Sequence, residues 1–445
     1  MTLGRPTPAF HLGPEGTGTL DAARKAADRA VGGRFGILRR CRELPLADGC
    51  PRLHTFVARG PYRLNDWWFC MPVEGTGVAA EPEIARISAI AEAIERYCLV
   101  APGQPDLFIR AAFRDIEGHA VIPSALSLMS SRQYHDLPGL EPLTNDKVID
   151  WCWTFSMSRH CPVMAPAALV HFNTQGRPPN NFLPELETTG AACHVSLPHA
   201  ILAGLCEVLE RDALTIAWQN RLPLIPLTTE GTRASELIAG PLANCDAEFS
   251  LFEIPTDSPF PVLLAIATSD SHHPHAVVGA ACRSNPVSAA VKALCEAGQM
   301  LRRQRDRGAR YPETISDFSD HADFYSTPEG ARRLRENVNI SPHTKSVADR
   351  RQPDTGHAIR DLQSAVAMLA SLGREVLVAD LTTADVAPTG FRVIRVFVPG
   401  AIDMSADERF PRLGGTRLFD LPVRLGLRAK AFSESDLNLL PGPLA

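Results

Sequence analysis

Apolar positions recur at helical spacing in three long segments. In residues 82–99, Ile84, Ile87, Ala91, Ile94 and Cys98 form one stripe at about 100° per residue, and Pro82 suits the first turn. Residues 197–219 repeat the pattern with Ile201, Leu205, Val208 and Leu209, opened by Ser196 and Pro198. Residues 286–305 form the third segment. Shorter helices are predicted over 16–31, opened by Thr17 or Thr19, and over 358–372, stopped by Gly373. Between them lie strand-like runs: RLHTFVARG, DWWFCMPVEGTG, VIDWCWTF, APAALVHF, FSLFEI, PVLLAIATS, HAVVGAAC, EVLVADL and FRVIRVFVPG. Residues 305–356 break the pattern. They are charged and poor in apolar runs, which predicts a solvated helical insertion or a mobile segment. The whole reads as one integrated α/β (α+β) unit, with helices over mixed or antiparallel strands. Residues 1–32 are a helical extension and 33–445 the domain, closed by a proline-containing tail, 437–445.

Composition narrows the class. The chain has 445 residues, 45% hydrophobic and 21% charged, with mean hydropathy −0.06, enough apolar material for a sizeable core. Its net charge is −5, without the basic surplus of a phosphate-tracking protein, so no nucleic-acid partner is expected. No apolar run nears the roughly 18 residues of a spanning helix, and no secretory signal is visible. The cysteines number 11 and form no CxxC pair. That argues against a disulfide scaffold or a metal ribbon and for reduced thiols in a cytoplasm.

Candidate chemistry lies beside the apolar stripes. The first long helix carries Glu92 and Glu95, the second Glu207 and Glu210, and the third Glu296 and Gln299, each pair at i and i+3 on one face. Ser88, Glu92 and Glu95 fall on the strip next to the apolar one. Carboxylates at a core border are costly unless paired or metal-bound. Oxygen ligands suit a hard cation such as Mg²⁺; a solvated Glu face is the other reading, and spacing alone leaves both open. The pairs Cys193–His194, His160–Cys161 and His272–His273 are weaker candidates for a thiol nucleophile or a metal. Trp67, Trp68, Trp151, Trp153 and Trp218 read as core or interface.

The text SAIAEAIERY, ILAGLCEVLERDALTIAW and ALCEAGQ, followed by VPGAIDMSADERFPRLGGTRLFDLPVRLG and LNLLPGPLA, resembles the YcaO family over roughly residues 33–445. That resemblance implies a YcaO-like fold with internal pseudo-repeats and an ATP site without a Walker loop. It implies Glu92, Glu95, Glu207, Glu210 and Glu296 as Mg²⁺ ligands. Ser88, Arg96, Thr188, Thr189, Arg211 and Gln299 would support ATP. The implied activity is ATP-dependent phosphorylation of a backbone amide oxygen in a ribosomally made precursor peptide, converting Cys, Ser or Thr to an azoline. A thioamide-forming enzyme and a non-catalytic scaffold subunit are the alternatives. The family's Pro-x-Pro-x-Pro ending is matched in part by Pro441 and Pro443, which with the Ala445 carboxylate become catalytic candidates. Expected partners are the precursor, a separate leader-peptide-binding protein and a flavin dehydrogenase, in a homo-oligomer or hetero-complex without membrane contact. Two departures stand out: Gly75-Thr76-Gly77 lacks the family's lysine, and residues 188–195 lack its Ser and Asn, with Val195 at the end.

Overall fold

In the computed structural model, residues 18–64, 70–100, 107–172, 180–183, 188–350 and 353–444 are described. The strands are β1 (Arg40–Glu43), β2 (His54–Leu64), β3 (Cys70–Ala79), β4 (Ile109–Ala112), β5 (Val148–Ser156), β6 (Cys161–Pro166), β7 (Ala191–His194), β8 (Ile225–Thr228), β9 (Glu248–Glu253), β10 (Val262–Thr268), β11 (Ala276–Cys282), β12 (Lys345–Ser346), β13 (Leu377–Asp380) and β14 (Arg392–Phe397). The helices are α1 (Leu20–Ala30), α2 (Pro82–Leu99), α3 (Ser131–Asp136), α4 (Leu197–Asn220), α5 (Arg233–Ala239), α6 (Pro286–Arg307), α7 (Phe318–Tyr325), α8 (Pro328–Asn337), α9 (Ala358–Ser371) and α10 (Arg417–Arg424). Trp67, Trp68 and Ala445 lie outside the described residues.

Three sheets form, ordered β1-β2-β3, β11-β10-β9-β8-β12 and β4-β5-β13-β14-β7, with β6 beside β5. Their pairings are antiparallel except β8 with β12. Each sheet ends in one strand that feeds a long helix: β3 leads to α2, β7 to α4 and β11 to α6. Each helix carries proline in its first turn, where a missing N–H costs nothing. The units close into a ring. Helix α2 packs on β3 and reaches β7; α4 packs on β7 and reaches β11; α6 packs on β11 and reaches β3.

Close approach in two of these units requires glycine. A Cβ on Gly77 would lie 2.0 Å from the Ala85 carbonyl oxygen, and one on Gly279 would lie 2.3 Å from the Ala297 nitrogen. The strands therefore sit almost on the helix backbones, which draws the neighbouring acids inward. Helix α4 is buried nearly all round, its charged Glu207–Asp212 stretch included in part, and runs through the largest core cluster.

Two expectations are corrected. The run APAALVHF is not one strand: β6 stops at Pro166, and a single 3₁₀ turn, Ala167–Leu169, follows. The charged stretch 305–356 is not merely solvated, because α7 and α8 bury His321, Tyr325, Ala331 and Leu334. Its charges mark one face of each helix while a few apolar side chains dock the other.

Candidate active site

The three acidic helices meet at a cavity of about 830 Å³. Glu92, Glu95, Glu207, Glu210 and Glu296 all line it, together with Ser88, Arg96, Thr188, Arg211 and Gln299. Each helix contributes an acid–base pair at i and i+4. Arg96 approaches Glu92 at 2.6 Å, Arg211 approaches Glu207 at 3.6 Å, and Lys292 pairs with Glu296.

Strand edges hold the carboxylates in place. Glu92 Oε2 accepts the Thr76 N–H at 2.7 Å, Glu207 Oε2 the Gly190 N–H at 3.1 Å, and Glu210 Oε2 the Cys282 N–H at 3.0 Å. Thr76, at the place where the family's lysine is missing, lies within β3 and serves the site through its backbone N–H.

The cavity concentrates negative charge. Burial raises Glu95 well above the usual carboxylate range, and Glu207 and Glu92 push it further. Burial lifts Glu207 to about 7, with Arg211 opposing and Glu210 reinforcing the shift. Burial and Glu296 raise Glu210. The five acids therefore form one row of like charges that raise one another, offset in part by Arg96, Arg211 and Lys292. Such a donor set fits hard cations. Among the described residues no three His, Cys, Asp or Glu side chains close into a metal centre by themselves. Mg²⁺ keeps water and phosphate oxygens and takes one or two carboxylates per ion.

Other expected residues fall elsewhere. Thr189 is buried and donates its hydroxyl to Asp403 Oδ1 at 2.7 Å, lining a smaller neighbouring cavity. Pro443 lines pockets beside α4, while Leu444 reaches the carboxylate cavity. Pro441 lies just upstream, its carbonyl accepting from the Tyr325 hydroxyl. Cys193 lines the cavity, where burial, then Glu95, hold its thiol well above the usual value and favour the neutral form. His194 stacks on His199 with ring centroids 4.9 Å apart.

Sequence reasoning missed Arg283, Lys292 and Arg303, which also line the cavity. Arg303 continues the Glu296–Gln299 face at i+7, a signal that was available. Arg283 follows β11 in a turn and carries no pattern that marks it. Asp212, in the ERDA text, turns away from the cavity: it pairs with Arg417 at 2.7 Å and accepts the Ile402 N–H at 2.9 Å.

Cation binding should titrate. Glu207 is neutral below about 7 and a carboxylate above it. Apparent affinity for Mg²⁺–nucleotide is therefore expected to weaken as pH falls from about 8 to about 6, measured by calorimetry. A flat profile contradicts the assignment of Glu207.

The family profile described as YcaO cyclodehydratase, ATP- and Mg²⁺-binding, matches residues 76–402. An uncharacterized protein of Methanothermobacter thermautotrophicus is 27% identical over 350 residues, covering 76% of this chain and 84% of that protein. A solved heterocyclase in complex with substrate and cofactor superposes with a TM-score of 0.80 and 19% identity over 99% of this chain. This chain spans 59% of that protein's length. The YcaO protein of Methanopyrus kandleri bound with AMPPCP and Mg²⁺ gives a TM-score of 0.62 and 20% identity, covering 85% of this chain and 88% of that one.

Proposed function

Because the chain belongs to the YcaO family of ATP- and Mg²⁺-binding cyclodehydratases, we propose that it converts Cys, Ser or Thr of a ribosomally made peptide to azolines. The observation that carries this reading is the ring of three helices, which turns five glutamates into one oxygen-lined cavity. Bound Mg²⁺–ATP supplies the phosphoryl group that makes a backbone amide oxygen, otherwise a poor leaving group, able to depart.

The chain's own residues do the holding and shielding. Glu92, Glu95, Glu207, Glu210 and Glu296 would hold the Mg²⁺ ions, one or two carboxylates to each, relieving the like-charge crowding among them. Arg96, Arg211, Arg283 and Lys292 line the same walls and would orient phosphate oxygens. Ser88, Thr188 and Gln299 supply neutral polar contacts. Half-buried and buried carboxylates in a cavity walled by α2, α4 and α6 strengthen every such interaction by limiting water. A leader-binding protein would deliver the precursor, and a flavin dehydrogenase is a further partner.

The tail favours azoline formation over the thioamide and scaffold readings, because Leu444 lines the carboxylate cavity. Pro441, Pro443 and Ala445 would then act in cyclisation. Deleting residues 441–445 is expected to leave folding and nucleotide binding intact and to abolish azoline formation. Unchanged azoline formation would remove the catalytic role of the tail and leave the cavity assignment standing. Phosphate release that depends on both peptide and leader-binding protein tests the enzyme reading itself; release that ignores them, or none at all, would favour the scaffold.

A further inference from the structure

Ahead of Leu444, the backbone groups of residues 440–442 are captured by side chains, most of them from the body of the protein. Leu440 O accepts the Trp218 indole N–H at 3.0 Å. Pro441 O accepts the Tyr325 hydroxyl. Gly442 O lies 2.8 Å from His321 Nδ1. The Gly442 N–H donates to Glu408 Oε1 at 2.9 Å, and the Leu440 N–H to Asn438 Oδ1 at 3.3 Å. Pro441 and Pro443 have no N–H to satisfy. Within residues 440–442 every backbone N–H and C=O therefore has a partner.

The clamp is built from distant parts of the chain. Trp218 stands on α4, about two turns beyond Glu210 and Arg211. His321 and Tyr325 stand on α7, inside the charged stretch 305–356. Glu408 comes from the loop after β14. The Trp218 and Tyr325 rings meet edge to face, with centroids 6.1 Å apart. His321 is fully buried, and its Nε2 lies 2.9 Å from the Ala406 carbonyl oxygen. Both ring nitrogens therefore face backbone carbonyl oxygens. Glu408 lies 3.6 Å from Nδ1. Burial raises the Tyr325 phenol, which keeps it a hydroxyl donor. Asn438 and Leu437, both buried, anchor the segment upstream, and Leu444 is buried downstream.

We propose that Trp218, Tyr325, His321 and Glu408 are positioning residues, a backbone clamp that sets the path of residues 440–444 so that the tail enters the carboxylate cavity in one register. The clamp reads main-chain groups, so its requirement on the tail is the alternation of proline with residues that keep their N–H. The inference rests on the reading of that cavity as the site of amide activation. It assigns a task to the charged stretch 305–356, which carries two of the four clamp residues.

The test uses the full chain with its precursor and leader-binding partner. Tyr325→Phe removes one hydroxyl and keeps the ring. It is expected to speed hydrogen exchange at the Gly442 amide and to lower kcat for azoline formation at least about tenfold, with KM for ATP and affinity for a nucleotide analogue unchanged. Glu408→Gln, which keeps an acceptor for Gly442, should retain more activity than Glu408→Ala. Faster exchange with unchanged kcat would show that the clamp only covers apolar surface and would overturn the proposal. Unchanged exchange would overturn it as well. If the wild-type chain forms no azoline, the functional reading fails, and exchange at Gly442 in Tyr325→Phe still decides whether the clamp holds the tail.

Discussion

Glu210→Gln is expected to abolish peptide-dependent ATP turnover and to leave the chain folded. Glu210 is buried on α4, 5% exposed, and one oxygen accepts the Cys282 N–H at 3.0 Å. Glutamine keeps an acceptor for that N–H, so the junction between α4 and β11 survives. What disappears is the charge opposite Glu296. Loss of one buried electrostatic group at a reacting centre costs about 10²–10³ in kcat. Thermal unfolding without nucleotide should be unchanged or shifted upward, because the substitution removes like-charge repulsion with Glu296 and an expensive buried carboxylate. Retained turnover in Glu210→Gln would remove this residue from the cation site.

Asp212→Asn, two residues along, has the opposite profile. Asp212 is 1% exposed and meets Arg417 at 2.7 Å, Arg374 at 3.4 Å and the Ile402 N–H at 2.9 Å. Arg417 is itself shared with Asp257. Removing the charge leaves buried guanidinium groups short of a partner, which costs about 3–5 kcal/mol. Denaturant unfolding should show that loss, while nucleotide affinity of the folded fraction stays near wild type. Full stability of Asp212→Asn combined with lost nucleotide binding would move Asp212 into the site.

The contrast between these neighbours shows what could be read ahead of the structure. The three long helices were legible because an apolar stripe, a first-turn proline and a preceding strand coincide in each. The glutamates were legible because their phase sets them beside that stripe and not opposite it. Their meeting in one cavity follows from the closed ring of α2, α4 and α6, a long-range arrangement that the periodicity of one segment does not encode. Asp212 belongs to the same ERDA text as Glu210, yet about 100° of helical rotation per residue turns it toward Arg417. Arg283 depends on where a turn points, and the clamp joins residues from α4, α7 and the loop after β14. The stretch 305–356 looked solvated because charge dominates its composition, while the few side chains that dock it, His321 and Tyr325 among them, are too sparse to form a pattern.

The most direct measurement is the mass of the precursor after incubation with the protein, ATP, Mg²⁺ and the leader-binding partner. The account predicts loss of one water for each Cys, Ser or Thr converted, strictly dependent on ATP and absent with Glu210→Gln. Exchange of oxygen for sulfur at a backbone amide, or an unchanged peptide beside active partners, would contradict it.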